Sequence, residues 1–90
     1  MAEQNYFSSR VTDADTSWQE LTLAPDFKRG FKSIVIINDD DSLELQVKLN
    51  DTSADILYIP GGEGVALDKN VWRLYYYAAS GSPNFRVLAD

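Results

Sequence analysis

The sequence contains no cysteine and no histidine among its 90 residues. Without cysteine, no disulfide can stabilise the fold. Without histidine, the chain lacks a common zinc ligand and the usual general base near neutral pH. Because a chain of this length buries only about 60–65% of the surface that its unfolded form exposes, its stability is marginal, and we expect a partner subunit to contribute to it.

Basic residues and long hydrophobic runs are also scarce. Eight Lys and Arg residues stand against fourteen Asp and Glu residues, which gives a net charge of −6. This balance disfavours direct binding to nucleic acid, whose phosphates attract Lys and Arg, and to anionic membrane surfaces. The aliphatic run Ile34–Ile37 is far too short to span a membrane. The first ten residues, MAEQNYFSSR, lack the apolar core of a signal peptide, so we expect neither membrane insertion nor signal-directed secretion.

The clearest pattern in the chain is an alternation of apolar and polar residues over 43–49. Four aliphatic residues, Leu43, Leu45, Val47 and Leu49, are separated by Glu44, Gln46 and Lys48. A period of two predicts a β-strand with one buried face and one exposed face. Similar strand-like runs occupy 17–23, 31–38, 55–59, 65–67, 71–79 and 84–89.

Turn residues separate these runs at intervals of about 8–12 residues, which is typical of β-sandwiches and small barrels. The sequence therefore predicts an all-β fold, a small antiparallel β-sandwich or partly open barrel of seven or eight short strands. Runs 31–38 and 71–79 are apolar on both faces, so we expect the first to be buried on both sides. The predicted core residues are Ile34, Ile36, Leu45, Val47, Leu57, Ile59, Trp72, Leu74 and Val87.

The first sixteen residues are polar apart from Tyr6, Phe7 and Val11. They are interpreted as an N-terminal arm or a weakly held edge strand, and a frayed terminus is the plain alternative. The predicted organisation is an arm over 1–16 followed by a single β-sandwich domain over 17–90.

Two segments and one set of scattered acids are candidates for a catalytic or metal site, but each has a simpler explanation. Asp39–Asp41 offers carboxylates, but the oxygen spacing of a calcium loop is missing, and Asp is common in hairpin turns. The loop Pro60–Gly64 is rich in glycine, but no Lys-Ser/Thr pair and no helix follow it, as a phosphate loop requires. The acids Glu20, Glu44, Glu63 and Asp68 show no pairing across a cleft. We therefore expect no catalytic residue, no cofactor, no metal site and no enzymatic activity.

Aromatic residues are concentrated in the run 71–79. Trp72 and Tyr76 share one face of this strand, and Arg73, Tyr75 and Tyr77 share the other. One face has to fill the core. The other is either covered by a second layer, or presents residue types that are enriched at protein interfaces, or forms a platform for stacking on sugar rings.

The strand order and turn residues resemble those of small β-sandwich virion proteins of tailed bacteriophages. The resemblance spans residues 17–89. It rests on a strand ending in Asn38, the turn Pro60-Gly61-Gly62-Glu63, the aromatic strand Trp72–Tyr77 and the closing pair Arg86-Val87. It implies a non-enzymatic structural protein that decorates or stabilises a capsid, or serves as a head fibre or a tail or collar adaptor. The implied location is the virion, after synthesis in the bacterial cytoplasm.

On this interpretation the partners are capsid or other virion proteins and further copies of the chain, as a dimer or trimer. The alternatives are a carbohydrate-binding module, for example on a tail fibre, with a glycan as ligand, or another small assembly adaptor. The residues predicted to form contacts are Tyr6, Phe7, Phe27, Arg73, Tyr75 and Tyr77.

Overall fold

The computed structural model describes residues 6–90, and within them the regular structure is almost entirely β-strand. One 3-10 turn, Phe27–Arg29, interrupts the strands. The all-β prediction is confirmed. The strands are β1 (Phe7–Val11), β2 (Gln19–Thr22), β3 (Ile34–Asn38), β4 (Leu45–Leu49), β5 (Leu57–Ile59), β6 (Gly64–Leu67), β7 (Arg73–Tyr77) and β8 (Phe85–Ala89).

The strands form two four-stranded antiparallel sheets that pack face to face. The first sheet has the order β1-β8-β3-β6, and the second has the order β2-β7-β4-β5. Every connection except β4–β5 passes from one sheet to the other. This order is that of a jelly roll, in which two sheets enclose one core. The predicted antiparallel sandwich is thus confirmed. In the described part of the chain, no helix is long and apolar enough to cross a membrane.

The core lies between the sheets and is filled by the alternate residues that face inward. On β4, Leu45, Val47 and Leu49 are buried, whereas Gln46 and Lys48 between them are half-exposed, as the alternation predicted. Of the predicted core residues, seven are buried: Ile34, Ile36, Leu45, Val47, Ile59, Leu74 and Val87. Leu57 is half-buried and packs against this core.

The prediction of Trp72 as a core residue is wrong. Val71 takes the inward position, is fully buried and pairs with Phe31. The carbonyl of Trp72 accepts the N–H groups of both Leu23 and Ala24 at 2.9 Å. Val71 pairs with Phe31, whereas β7 pairs with β2 and β4, and the buried positions Val71 and Leu74 are three residues apart. Trp72 therefore lies half-buried, with its ring against Phe27.

The expectation that the strand within 31–38 is buried on both sides is also wrong. Ile34, Ile36 and Asn38 are buried, but Val35 and Ile37 remain half-exposed on the outer face of the first sheet. The apolar outer side of β3 is therefore a surface feature of the described chain.

The segment 1–16 was interpreted as an arm or a weakly held edge strand. Its residues 7–11 form β1, the edge strand of the first sheet, which pairs with β8 from Phe7↔Ala89 to Val11↔Phe85. Val11 and Ala14 are buried in the same core as the strands that follow. Residues 1–5, the beginning of the predicted arm, lie outside the described residues.

The turn after β5 depends on glycine at two positions. A Cβ atom on Gly61 would stand 2.6 Å from the backbone nitrogen of Ser42, which no real side chain tolerates. Gly62 has a φ of 78°, in the left-handed region that glycine adopts at least cost. The segment Pro60–Gly64 is therefore a turn between strands, as predicted.

Asn38 is a buried polar side chain that joins three segments at the end of β3. Its Nδ2 donates to the carbonyls of Leu43, at 2.8 Å, and Ile59, at 3.0 Å. Its Oδ1 accepts the N–H of Asp40 at 3.1 Å. One amide thus connects β3 to the approach to β4 and to the end of β5.

We expect Asn38→Ala to lower the free energy of unfolding by about 2–3 kcal/mol, because it removes three hydrogen bonds and leaves carbonyls without a donor. Urea unfolding followed by circular dichroism measures this change. Asp41→Ala is the matched control: Asp41 is exposed in the same turn, so its loss should cost less than about 0.5 kcal/mol. Equal losses for the two variants would contradict the role given to Asn38.

Candidate functional site

The space between the two sheets is packed with apolar side chains. The largest fully buried residues include Phe85, Ile34, Ile36, Leu45 and Leu74. Among the described residues, no buried side-chain nitrogen or oxygen lacks a hydrogen-bond partner. The interior therefore presents no polar group that is free to bind or activate a substrate.

Tyr76 is the titratable side chain that reaches farthest into this core. It is only 5% exposed, and its ring packs edge-on against Phe85. Its hydroxyl donates to Oδ1 of Asp13 at 2.8 Å. Burial, followed by the hydrogen bond to Asp13 and the charges of Asp13 and Asp15, raises the pKa of Tyr76 to about 12. The phenol stays protonated at neutral pH and ties the segment after β1 to β7.

The carboxylates of Asp39–Asp41 do not converge on one point. Asp39 forms a two-point ion pair with Arg86, at 2.8 and 3.0 Å, and this hydrogen bonding lowers the pKa of Asp39. Asp40 accepts the N–H groups of Ser42 and Leu43 at 2.9 Å, which lowers its pKa as well. The local partners of Asp40 are those of a turn, as the sequence predicted, whereas Asp39 pairs with β8. Across residues 6–90 no group of three or more His, Cys, Asp or Glu side chains could hold a metal ion.

Aromatic side chains gather on the outer face of the second sheet. Strand register places Glu20, Tyr75 and Lys48 in one row across β2, β7 and β4. A second row carries Tyr77, Gln46 and Tyr58 across β7, β4 and β5. We call this surface the aromatic face; it comprises Trp18, Glu20, Lys48, Tyr58, Arg73, Tyr75 and Tyr77.

Three rings of the aromatic face, those of Trp18, Tyr75 and Tyr77, contact one another or a cation. Trp18 stacks on Tyr77, with ring centroids 5.1 Å apart and an interplanar angle of 23°. Lys48 Nζ lies 4.4 Å from the centre of the Trp18 ring. The Arg73 guanidinium carbon lies 5.7 Å from the centre of the Tyr75 ring, and its Nε donates to the carbonyl of Asn50 at 2.7 Å. These contacts link neighbouring side chains across the face.

The structure brings together only part of the predicted contact set. Arg73, Tyr75 and Tyr77 lie on the aromatic face. Phe7 begins β1, the edge strand of the other sheet, and Tyr6 precedes it. Phe27 lies in the 3-10 turn against Trp72.

Sequence reasoning missed Trp18, Lys48 and Tyr58 as members of the aromatic face. The sequence did contain a signal for Trp18, since a period of two puts it on the same side of its predicted strand as Glu20 and Thr22. Tyr58 sits in a three-residue strand, too short for an alternation to stand out.

The sequence matches no protein-family model, and no curated protein matches it. Solved structures do match it in fold. A protein assigned to ethanolamine utilization (protein Q) from Salmonella typhimurium is 13% identical with a TM-score of 0.58, covering 96% of this chain and 58% of that one. The cupin_2 domain of an XRE family transcriptional regulator from Enterobacter cloacae is 16% identical with a TM-score of 0.61, covering 94% and 80%.

A third similar structure is that of HppE with cobalt(II) and its substrate. It is 12% identical with a TM-score of 0.65, and the match covers 96% of this chain and 45% of that one. The chain thus spans about half the length of HppE and of the ethanolamine utilization protein. Identities this low establish the fold alone, a cupin-like jelly roll.

These similarities overturn the resemblance to virion proteins of tailed bacteriophages. The similar structures are cupin-fold proteins, two of them from named bacteria. The predicted role in capsid decoration, the alternatives attached to it and the virion location are therefore corrected. The error has a physical reason: the turns and alternating strands that carried the resemblance are required by any small jelly roll.

HppE was solved with cobalt(II), but residues 6–90 of this chain contain no donor cluster for a metal ion. The sequence has no histidine, and the described carboxylates are dispersed or engaged in turns and an ion pair. The residues present do not fit a metal centre inside the barrel.

We expect the thermal unfolding midpoint of the protein to be the same with added Fe(II), Co(II) or Zn(II) as it is in EDTA. A metal that binds the folded state would raise this midpoint by mass action. Differential scanning calorimetry with and without each ion measures the shift, and elemental analysis after dialysis measures retained metal. Stoichiometric retention together with a raised midpoint would contradict the assignment.

We expect the folded protein to lose stability between pH 10 and about pH 12. The folded pKa of Tyr76, about 12, lies above the ordinary value of 10.0. Its contribution is therefore fully present below pH 10 and is lost as the pH rises toward the folded pKa. Urea unfolding across this range, with phenolate absorbance recorded, measures the effect. Tyr76→Phe should flatten the dependence and Tyr58→Phe, at an exposed tyrosine, should not; the reverse pattern would contradict the assignment.

Proposed function

We propose that this chain is a non-enzymatic cupin-fold module that forms a homodimer through the aromatic face. The observation that carries the proposal is the aromatic face itself. It combines Trp, Tyr and Arg, the residue types that supply most of the binding energy at protein interfaces. The apolar filling of the barrel supports the non-enzymatic part, because it leaves no convergent polar groups there.

The charges of the aromatic face favour a second copy of the same chain as the partner. Glu20 and Lys48 stand on opposite sides of Tyr75 in one row. A two-fold axis lying along β7 would stack two aromatic faces and bring Glu20 of each copy opposite Lys48 of the other. A dimer of this kind uses the same patch on both subunits, which is the commonest symmetry among soluble oligomers.

The side chains at the centre of the face are suited to burial. Tyr75 and Tyr77 are already half-buried by their neighbours, so ordering them in an interface costs little additional side-chain entropy. Trp18, beside β2, is 38% exposed, so it still has apolar area to remove from water.

Light scattering over a concentration series should give the mass of a dimer, and Tyr75→Ala should weaken that dimer. Losing a central aromatic contact costs about 2 kcal/mol or more, a roughly thirtyfold weakening. Leu88→Ala is the matched control, since Leu88 is 40% exposed on the outer face of the other sheet. A monomer at all concentrations, or equal weakening by both variants, would refute the proposed interface.

Charge reversal tests the predicted orientation of the two copies. Glu20→Lys and Lys48→Glu should each weaken the dimer, because each places like charges opposite one another. The double variant should restore association, since it exchanges the two partners. If the double variant loses as much free energy of dimerisation as the two single variants lose together, the two residues do not face each other in the dimer.

A further inference from the structure

A cleft opens at the edge of the sandwich beside β1, away from the aromatic face. Its volume is about 540 Å³, within the usual range of small-molecule sites. Its lining residues include three aromatic, two aliphatic and one charged side chain: Tyr6, Phe7, Phe31, Leu23, Pro25 and Arg29. Among these lining residues, Arg29 is the one that is charged at neutral pH.

The loop that carries Arg29 is fixed by contacts at both ends. The carboxylate of Asp26 accepts the N–H groups of Lys28, at 3.0 Å, and Arg29, at 3.1 Å. Asn70 Nδ2 donates to the carbonyl of Phe27 at 3.1 Å. Gly30 packs so closely that a Cβ atom there would stand 2.7 Å from Oδ1 of Asn70 and 2.9 Å from the carbonyl oxygen of Val71.

The aromatic wall is fixed as well. Phe31 exchanges two backbone hydrogen bonds with Val71, both 2.8 Å long. Its ring lies 6.4 Å from that of Phe7, tilted by 55°. The cleft is therefore set by the backbone of β1 and of the loop before β3, and it does not depend on a ligand to form.

Arg29 is exposed. Among residues 6–90, the ion pair that the structure contains joins Arg86 to Asp39 and does not involve Arg29. Asp26, the acid nearest to Arg29 in sequence, uses its carboxylate on backbone N–H groups. Guanidinium groups bind two-oxygen anions through paired hydrogen bonds.

We propose that this cleft binds small amphipathic carboxylates. The carboxylate pairs with the Arg29 guanidinium, and the ring or short alkyl chain of the ligand packs against Phe7, Phe31 and Leu23. A single guanidinium matches one negative charge, which favours a carboxylate over a doubly charged phosphate monoester. This site is independent of the proposed dimer, because it shares no residue with the aromatic face.

Titration of the full-length protein with phenylacetate, followed by two-dimensional NMR of backbone amides, tests the proposal. We expect saturable shifts centred on the amides of Phe7, Leu23 and Phe31. Phenylacetamide, which has the same shape without the charge, should bind at least about tenfold more weakly, since a hydrogen bond to a charged group is lost. Absence of saturable shifts at millimolar phenylacetate, or equal binding of the amide, would overturn the proposal.

Arg29→Gln should lower the affinity of the protein for phenylacetate by at least about tenfold. Lys28→Gln is the matched control, because it removes the same charge from the neighbouring residue, which does not line the cleft. It should change the affinity less than about twofold, as expected for a screened surface charge. Equal losses in the two variants would show that only net charge matters and would overturn the site. Tyr75→Ala should leave this binding intact, so failure of the dimer and failure of the site are distinguishable.

Discussion

The burial of the two inner sheet faces against one another is the interaction on which the rest of the described structure depends. The chain has no cysteine to cross-link the sheets and no donor cluster in the described residues to bind a structural metal. Hydrophobic burial is then the main favourable term in folding. Inward positions on all four central strands β3, β4, β7 and β8 are accordingly apolar, except for Asn38.

This filling decides where function can reside. A barrel that binds a substrate needs polar groups aimed into an accessible cavity, and here the corresponding positions hold residues such as Phe85, Leu74 and Val47. The polar groups of the interior are the Tyr76 hydroxyl, which is committed to Asp13, and the Asn38 amide, which is committed to backbone groups. In this cupin-like jelly roll the described interior is a packed core, so the surfaces considered for binding are the outer sheet faces and the edges.

Most of the fold could be predicted from local pattern, because alternation reports directly on which side of a strand is buried. The run Leu43–Leu49 was interpreted correctly for this reason. The position of Trp72 was not, since Val71 takes the inward place by pairing with Phe31, a residue distant in the sequence. Asn38 reads as the polar end of a strand, and only contact with Ile59 reveals that it is buried.

The candidate site was less predictable for the same physical reason. The shared face of Arg73, Tyr75 and Tyr77 follows from a period of two within one strand. The addition of Trp18, Lys48 and Tyr58 requires the register of β2, β4 and β5 against β7, which depends on the whole jelly roll. A local pattern can assign a residue to a face, but it cannot say which residues from other strands share that face.

The failed family resemblance points to a better criterion for function. Asn38, the turn Pro60–Gly64 and the alternating strands are all needed to build the sandwich, so they recur in jelly rolls of unrelated activity. Residues that the fold needs are poor evidence of what a protein does. Side chains that the fold does not need are better evidence, because their presence requires another explanation. By that criterion Arg29, beside an aromatic cleft, and Tyr58, exposed on a charged aromatic face, are the more informative residues of this chain.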